Sequence, residues 1–442
     1  MRVISFILFG SFITNAQAQT KLSLAEAWQK GIQNPTIKQK SLELEVGNID
    51  LALSKEQLLP NISGQYNNSL NIGRSIDPYT NSFLTQSIVG NNYGLSANYT
   101  LFDFYQNKNQ IAINQLYLKA IGQDLKAIEN DIKYRILVAF SEVLLAEEQA
   151  KTSQSLIHNA EENLTYLKKL YAADRIRYSL IVTLEAELLR LKTDQVQAIA
   201  NTSLAKLSLQ RLIGLPSEIN LELTNRGVLL QVKPLNTPME IILEEAISNL
   251  PEFENLKYQK IIKTKESAML LAQKWPTFIA FSNIGTTYSS AARRIEKQEL
   301  VKINYPKQFG DNLNMNVGFS VRFPLFNVSN YDLKNQKKQI ELKGINIQSE
   351  AKKLEIRGIV EESFTRLEAT VNREKILEER IASLETVEKI NQNGFEEGRV
   401  EFSEYLQSKR DLEQAKLQIN ILKYQYFVLI KQLEFYRTGT WQ

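Results

Sequence analysis

The chain has 442 residues and a net formal charge of +4, too small an excess of basic residues to favour nucleic acid as a partner. It contains no cysteine, which excludes disulfides, thiol catalysis, cysteine metal sites and a lipid-modified N-terminal cysteine. With 18 glycines and 10 prolines, helix breakers are at about half their average usage, which predicts long helices. The single histidine, His158, falls in a charged helical stretch and is expected to be solvated rather than a metal ligand or general base.

The first 18 residues are predicted to be an export signal. Arg2 supplies the positive end, residues 3–12 are mostly apolar, and Ala-Gln-Ala at 16–18 gives a cleavage site between small residues. The mature chain is therefore expected to begin near Gln19. An N-terminal membrane anchor is the alternative, but the apolar run is too short to span a bilayer. No later run approaches ~18 apolar residues.

Two helices are predicted at the start of the mature chain. Ser23 and Glu26 form a capping box, so a helix is expected to begin just after Ser23 and to stop near Pro35. A second helix is expected over 36–59, because Pro60 disfavours helix in the residue before it. The same order returns later, with a helix pair around Pro251 and Pro276, as the repeat below describes.

The hydrophobic period then changes from helical to two, which is typical of strands. Apolar and polar residues alternate over 61–72 and 95–101, and most clearly over 315–325. The stretch 277–288 alternates poorly and is predicted to be a strand mainly by analogy with the first hairpin. Each half of the chain thus carries one predicted hairpin, near 61–103 and near 277–326. Long polar segments, 73–91 and 285–312, are expected to join the strands.

Very long helices follow each hairpin. Residues 105–213 contain no proline and one glycine, Gly122, and residues 327–438 again contain no proline. Apolar residues between Leu118 and Ala150 recur every three or four positions, which indicates one packed stripe on a helix. Breaks are expected near 172–179 and 394–403. The regions 105–213 and 328–438 are therefore predicted to be helical hairpins, each with its tip at the break.

The two halves match at a nearly constant offset, which indicates a tandem duplication. The predicted units are a first repeat, 19–230, and a second repeat, 231–442. Pro35 and Pro60 correspond to Pro251 and Pro276 at an offset of 216. At an offset of 224, Gly94, Ile132, Phe140, Arg175 and Ser179 correspond in order to Gly318, Ile356, Phe364, Arg399 and Ser403. The extra residues fall in the second polar connection, where a surface loop grows at little cost.

Four exported, alternating strands per chain predict a barrel that one chain cannot close. The smallest outer membrane barrels have eight strands, and an open sheet edge is not tolerated in lipid. Dimers, trimers and tetramers would supply 8, 12 or 16 strands, and a conducting lumen favours 12 or 16. The alternative is a soluble protein of two repeats whose sheets pack on helices.

Taken together, these features resemble the TolC-like outer membrane efflux proteins, over essentially the whole mature chain. The marks are Leu22-Ser23-Leu24-Ala25-Glu26-Ala27 with Asn34-Pro35, Leu58-Leu59-Pro60, the strand ends Leu101-Phe102-Asp103 and Pro324-Leu325-Phe326-Asn327, and Phe395-x-x-Gly398 followed by Ser403-x-x-Leu406.

The resemblance implies an α+β membrane protein that forms a homotrimer. Its 12 strands would form one shared β-barrel in the outer membrane, and its helical hairpins an α-barrel across the periplasm. It further implies an export duct of a tripartite efflux or type I secretion system that conducts substrate passively. The expected partners are a periplasmic adaptor (membrane fusion) protein, an inner-membrane efflux pump or ABC transporter, and outer membrane lipid. No nucleic acid, cofactor, metal or catalytic residue is implied.

In this family the periplasmic end is closed near the second tip by packing, polar links and acidic rings. Glu404 falls on the first acidic position of that motif and Gln407 on the second, so one carboxylate is missing here. Three copies of Glu404 would make a ring of negative potential that attracts cations. The alternative is an ordinary solvated helix residue.

Three further tip residues are candidates for the gate. Gly398 matches the tip glycine that permits a tight turn and approach of the adaptor, whereas Asp174 stands at the equivalent place in the first repeat and predicts a different turn there. Arg399 lies one position before the arginine expected to link neighbouring helices, and Arg175 is its equivalent. Each arginine is expected either to form a salt bridge at the gate or to be solvated.

Two competing functions remain open from the residues alone. One is an exported, non-conducting coiled-coil scaffold, which would not need alternation in its strands. The other is an enzyme such as a cell-wall hydrolase, which would need convergent ionisable groups in a cleft.

The basic residues of the second polar connection are expected to be solvated, with contact to anionic lipid head groups as the alternative. They are Arg293, Arg294, Lys297, Lys302 and Lys307.

Overall fold

The computed structural model describes residues 20–76, 81–85, 87–224, 237–296, 299–326 and 328–441. The predicted export signal, residues 1–18, lies outside these ranges. The helices are α1 (Leu24–Gly31), α2 (Pro35–Glu56), α3 (Gln106–Ala172), α4 (Tyr178–Ile213), α5 (Met239–Asn249), α6 (Pro251–Ala272), α7 (Tyr305–Asp311), α8 (Val328–Glu396) and α9 (Phe402–Thr438). Among the helices in these ranges, none is both long and apolar enough to cross a membrane.

The strands alternate with these helices along the chain. They are β1 (Thr20–Leu22), β2 (Asn61–Asn71), β3 (Arg74–Ile76), β4 (Phe83–Thr85), β5 (Ile88–Phe102), β6 (Leu221–Leu223), β7 (Thr277–Ser289), β8 (Arg293–Glu296), β9 (Glu299–Lys302) and β10 (Asn314–Arg322). A helix pair, paired strands and two long helices therefore occur in this order twice. The division into repeats at 19–230 and 231–442 stays a prediction.

The start of α1 confirms the predicted capping box. The Glu26 N–H donates to the Ser23 hydroxyl oxygen at 3.3 Å, and the Ser23 N–H donates to the Glu26 carboxylate at 2.7 Å. At the next helix the Thr36 N–H donates to the Asn34 side-chain oxygen at 3.0 Å. Pro35 is the first residue of α2, a position that suits a residue without an N–H. Local sequence signals thus determine both helix starts.

Contacts divide the chain into two compact units, and each unit draws on both halves of the sequence. Unit 1 comprises Met1–Leu42, Gln123–Glu254 and Glu350–Gln442. The predicted stripe of α3 is confirmed there, since its residues from Ile132 to Ala146 are buried against α4 and α9. The short strands β1 and β6 pair in parallel beside this core.

Unit 2 comprises Glu43–Gly122 and Asn255–Ser349 and contains a four-stranded antiparallel sheet. Its strand order is β10-β7-β5-β2, so the central β5–β7 pair joins the two hairpins. The poorly alternating stretch 277–288 is confirmed as the strand β7. The first polar connection was predicted to run to residue 91, which is wrong at its end, because β5 already begins at Ile88. Both outer strands, β2 and β10, pair on one side only within the residues that the structure describes.

The polar connections between the strands were expected to be loops, but they contain short strands and a helix of their own. The strands β3 and β4 pair in the first connection, and β8, β9 and α7 occupy the second. The side chain of Gln308, which is fully buried in α7, holds the second connection to the sheet. It donates to the carbonyl oxygens of Ser289 at 3.0 Å and Ile303 at 2.8 Å, and accepts from the Ser289 N–H at 2.9 Å. Such long-range bonds leave no local pattern in the sequence.

Candidate functional site

The two predicted helix breaks are both in unit 1 and have the same hydrogen-bond pattern. After α3 the Arg175 N–H donates to the Leu170 carbonyl at 2.9 Å, and after α8 the Arg399 N–H donates to the Gly394 carbonyl at 2.7 Å. In both turns the donor follows the acceptor by five residues, and the residue before the donor is left-handed. The tips of the two helical hairpins are therefore built alike.

The prediction that the first tip turns differently because it lacks a glycine is wrong. Gly398 has φ +72°, and Asp174, its equivalent, has φ +53°. Aspartate is one of the few residues with a Cβ that adopt this left-handed region readily. The first tip thus makes the same turn with a residue that has a Cβ, at a modest cost in conformational free energy.

Aromatic packing fixes the second tip. Phe395, at the end of α8, lies 5.1 Å from Phe402 and 6.0 Å from Tyr405 between ring centroids. Phe402 and Tyr405 are buried among leucine and isoleucine side chains of α3 and α4. Gly394 begins the predicted break, but no role was predicted for it. A Cβ on Gly394 would come within 2.4 Å of the Val400 side chain, so the turn closes only around a glycine.

Four of the five predicted gate residues fall within ten positions of each other at the second tip, and they differ in what they contact. Glu404 is exposed in the first turn of α9, where its charge is favourable to the helix dipole. Arg399 forms an ion pair with Glu397, beside Gly398 in the turn. Arg175 is exposed at the first tip. The structure does not bring Arg175 and Arg399 into a salt bridge with Glu404 within the described residues of one copy.

Gln407 belongs to a polar network that joins α4 to α9. Its side-chain nitrogen donates to Asp411 at 2.9 Å, and its oxygen accepts from the Arg410 guanidinium at 2.7 Å. Arg410 also donates to Glu187 of α4 at 3.2 Å. The glutamine at the second acidic position is therefore held by charged partners within the chain.

Glu187 is the centre of this network and was missed in the sequence analysis. Arg190 donates to both of its carboxylate oxygens, at 2.9 and 2.7 Å, a bidentate arrangement. These hydrogen bonds hold the pKa of Glu187 below its ordinary value, with a smaller contribution from Arg410. The spacing of Glu187, Arg190 and Asp194 predicts ion pairs along one face of α4. The neighbouring sequence does not, however, identify Arg410 as a further partner of Glu187.

The register of the sheet in unit 2 sorts side chains into two faces. Directly paired residues point to the same face, so Tyr66 lies beside Tyr93, and Ile284 lies between Leu95 and Met315. The opposite face carries mainly asparagine, serine, glycine and threonine. The large apolar residues of the first face are exposed in the single chain. They include Ile62, Tyr66, Leu70, Leu95, Met315, Val317 and Phe319.

The basic residues of the second connection differ in their contacts and in their exposure. Arg294 forms an ion pair within its own hairpin, and Arg293 is half-buried. Lys302 and Lys307 are exposed, and Lys297 lies outside the described residues. Contact of these residues with anionic lipid stays a prediction.

Comparison with known proteins identifies this arrangement. The chain matches no family model. The outer membrane efflux protein BepC of Brucella suis biovar 1 (strain 1330) is 20% identical over 372 residues, which cover 83% of this chain and 74% of that protein. The structure of CusC has a TM-score of 0.78 at 15% identity, covering 94% of this chain and 92% of CusC. The outer membrane protein VceC of Vibrio cholerae has a TM-score of 0.75 at 14% identity, covering 95% of this chain and 97% of VceC. This chain therefore has the TolC-like fold.

The TolC-like fold accounts for the mixture of long helices and few strands, as predicted. BepC and VceC are outer membrane proteins, which agrees with the predicted location in the outer membrane. BepC is an efflux protein, and CusC forms a transmembrane channel. Throughout the described part of this chain, no group of three or more His, Asp or Glu residues is placed to hold a metal ion.

Proposed function

We propose that the chain is the outer membrane export duct of a tripartite efflux or type I secretion system, and that it conducts substrate passively. The observation that carries this proposal is the sheet of unit 2. Its apolar face is exposed, with Phe319 77% and Ile62 66% accessible. A soluble protein would cover such a face, whereas in lipid the same side chains are in their preferred solvent.

The open edges of the sheet support closure by further copies. The outer strands β2 and β10 each leave one row of backbone groups unpaired within the described residues. In hydrocarbon every such group needs a partner, and joining β10 of one copy to β2 of the next supplies it. Three copies would give 12 strands and a lumen wider than an eight-stranded barrel allows. The long helices of the three copies would then form the periplasmic α-barrel, and the two-repeat organisation would give it pseudo-sixfold symmetry.

The helical tips are the proposed periplasmic gate, which an adaptor protein and an inner-membrane pump or ABC transporter would engage. Glu404 is exposed and its side chain forms no ion pair within the described residues of the chain. It is thus available to face its symmetry mates as a ring. Gly398, which has no Cβ at the turn, would allow close approach of the adaptor. Arg175 and Arg399 are proposed as links between neighbouring helices, and Gln407 as a fixed neutral position.

Single-channel conductance in a planar bilayer tests both levels of the proposal. Detergent-extracted wild type is compared with Glu404→Ala and with Glu162→Ala, which removes an exposed carboxylate paired with His158 on its own helix. We expect discrete channels, and loss of cation preference only in Glu404→Ala. Channels indifferent to Glu404 would keep the duct and remove the acidic ring. Protein that stays soluble without detergent and never conducts would replace the duct with a scaffold.

A further inference from the structure

The second polar connection folds back onto the apolar face of the sheet in unit 2. The Tyr305 hydroxyl of α7 donates to the Tyr93 hydroxyl of β5 at 2.6 Å, and the Phe309 and Tyr93 ring centroids are 5.6 Å apart. The Thr286 hydroxyl of β7 donates to the Phe309 carbonyl at 2.8 Å. Tyr93 and Thr286 are directly paired and lie on the same face as Leu95. Helix α7 therefore covers part of the face that is proposed to meet lipid.

The position of α7 along the strands places it at the outer boundary of the proposed membrane region. At the other end of the same face, next to the long helices, the Phe278 ring lies 6.4 Å from that of Phe102. Tyr288, whose ring lies 5.0 Å from that of Tyr305, follows Phe278 by ten positions along β7. Ten residues of strand span about 33 Å, or about 25 Å along the membrane normal at a tilt of about 40°. The apolar band of an outer membrane barrel has this height, so α7 falls at the level of the lipid head groups.

The side of α7 that points away from the sheet is polar, as this level requires. Gln308 points towards the sheet with the two aromatic rings of α7 and is fully buried. At 100° per residue, Lys307 and Gly310 lie about 150° around the helix from that direction. Lys307 and Asp311 are exposed and carry opposite charges. Such charges are costly in hydrocarbon but are solvated among head groups.

The hairpin β8–β9, which precedes α7, sorts its charges onto two faces. Arg293 pairs directly with Lys302, and Ile295, two positions after Arg293, lies on the same face. Ile295 is 74% exposed, so this basic face (Arg293, Ile295 and Lys302) also offers an apolar side chain. Both acidic residues of the hairpin lie on the opposite, acidic face, together with an arginine that is paired with one of them and a valine. The residues of the acidic face are Arg294, Glu296, Glu299 and Val301.

Two cations oppose each other at the base of the basic face. Neither Arg293 nor Lys302 forms an ion pair among the residues that the structure describes, and the Arg293 guanidinium makes a 3.5 Å contact with the Ala292 carbonyl. Like charges directly opposite each other across a strand pair are destabilising. An anion bound at this face would remove the repulsion. Phosphate is the anion that lipid head groups present at the level of α7.

We infer that the second connection is a lipid-binding element of the outer leaflet, an inference that rests on the proposed barrel. Tyr305 and Phe309 hold it on the sheet at the boundary of the hydrocarbon. The basic face of the hairpin lies against phosphate-bearing head groups, with Ile295 inserted between them, and the acidic face stays in water. The opposite orientation would bring two carboxylates to an anionic surface, which is unfavourable.

Spin labels on single cysteines measure the depth of each part, because the chain has no cysteine of its own. Full-length protein is reconstituted in vesicles, and the collision rates of each label with oxygen and with a water-soluble nickel chelate are compared. Phe319→Cys reports on the apolar face of the sheet. Gly310→Cys reports on the outward side of α7, where an added Cβ meets nothing within 4 Å. Ile295→Cys and Glu299→Cys are the matched pair on the two faces of the hairpin.

We expect the ratio of oxygen to nickel collisions to be highest at Phe319, intermediate at Gly310 and lowest at Glu299, with Ile295 above Glu299. A Gly310 label as accessible to nickel as the Glu299 label, beside a Phe319 label in lipid, would overturn the inference and leave the duct intact. Equal accessibility at Ile295 and Glu299 would overturn the assigned face of the hairpin. A Phe319 label in water would refute the proposed function, and the lipid-binding element with it.

Hydrogen exchange at the Ile303 amide measures head-group binding, because this amide donates to the Ala292 carbonyl at the base of the hairpin at 3.2 Å. Adding phosphatidylglycerol to phosphatidylcholine vesicles should slow this exchange roughly fivefold in the wild type. Lys302→Gln should lose most of this slowing, whereas Lys343→Gln, which removes an exposed lysine of α8, should keep it. Without phosphatidylglycerol, Lys302→Gln should itself slow the exchange, because it removes the opposed charge.

Two results of the exchange measurement would contradict the assignment. Slowing that persists in Lys302→Gln would place the anionic lipid elsewhere and overturn the role of the basic face. Equal slowing by inorganic phosphate in vesicles without phosphatidylglycerol would make the pair of cations a site for free anions rather than for lipid.

Discussion

The shared geometry of the two tips predicts opposite effects of substitution at equivalent positions. Gly398→Ala places a Cβ at φ +72°, in a site where no neighbouring atom lies within 4 Å. The cost is therefore conformational rather than steric, about 1 kcal/mol. Asp174→Gly removes a Cβ at φ +53° and relieves a similar or smaller strain. The second tip should be destabilised in the first variant, and the first tip stabilised in the second.

Hydrogen exchange at the turn amides measures these effects locally. The Arg399 amide donates to Gly394, so its exchange reports opening of the second turn. About 1 kcal/mol corresponds to roughly fivefold faster exchange at this amide in Gly398→Ala. Exchange at Arg175 should slow in Asp174→Gly. Gly358→Ala is the control, since an added Cβ on this helical glycine meets nothing within 4 Å. Unchanged or slower exchange at Arg399 in Gly398→Ala would refute the conformational argument.

Three further predictions concern unit 1. Hydrogen bonds from Arg190 lower the pKa of Glu187. The ionised carboxylate therefore stabilises the fold fully above its unfolded pKa of about 4.3, and this stability is lost as pH falls through the lower folded pKa. The melting temperature of Glu187→Gln in detergent should lack this acid dependence. Trp441 stacks on Phe435 at 4.5 Å, so Trp441→Ala should cost about 3 kcal/mol and lower the melting temperature more than substitution of the exposed Trp275 does. Burial raises the pKa of Tyr436 to about 12, so the chain should lose stability as pH rises from about 10 towards that value, and Tyr436→Phe should not. An identical alkaline profile in both proteins would contradict the last argument.

Elements with local signals were predictable from the sequence. The Ser23 capping box, the stop at Pro60 and the alternation over 315–325 each act within a few residues, and each corresponds to an element boundary or strand in the structure. The helix breaks near 172–179 and 394–403 were also predicted, and the structure has them at 173–177 and 397–401. Hydrophobic periodicity reports which face is buried, and it does so independently of what buries it.

Features that depend on distant partners were not predictable in this way. Gln308 appears in the sequence as one polar residue in a polar stretch, yet its buried amide holds the second connection to β7. The contact between Glu187 and Arg410 joins residues 223 positions apart. Tertiary contacts decided both of these cases. Asp174 was expected to change the turn, yet it adopts the left-handed conformation that Gly398 adopts, since aspartate tolerates this region.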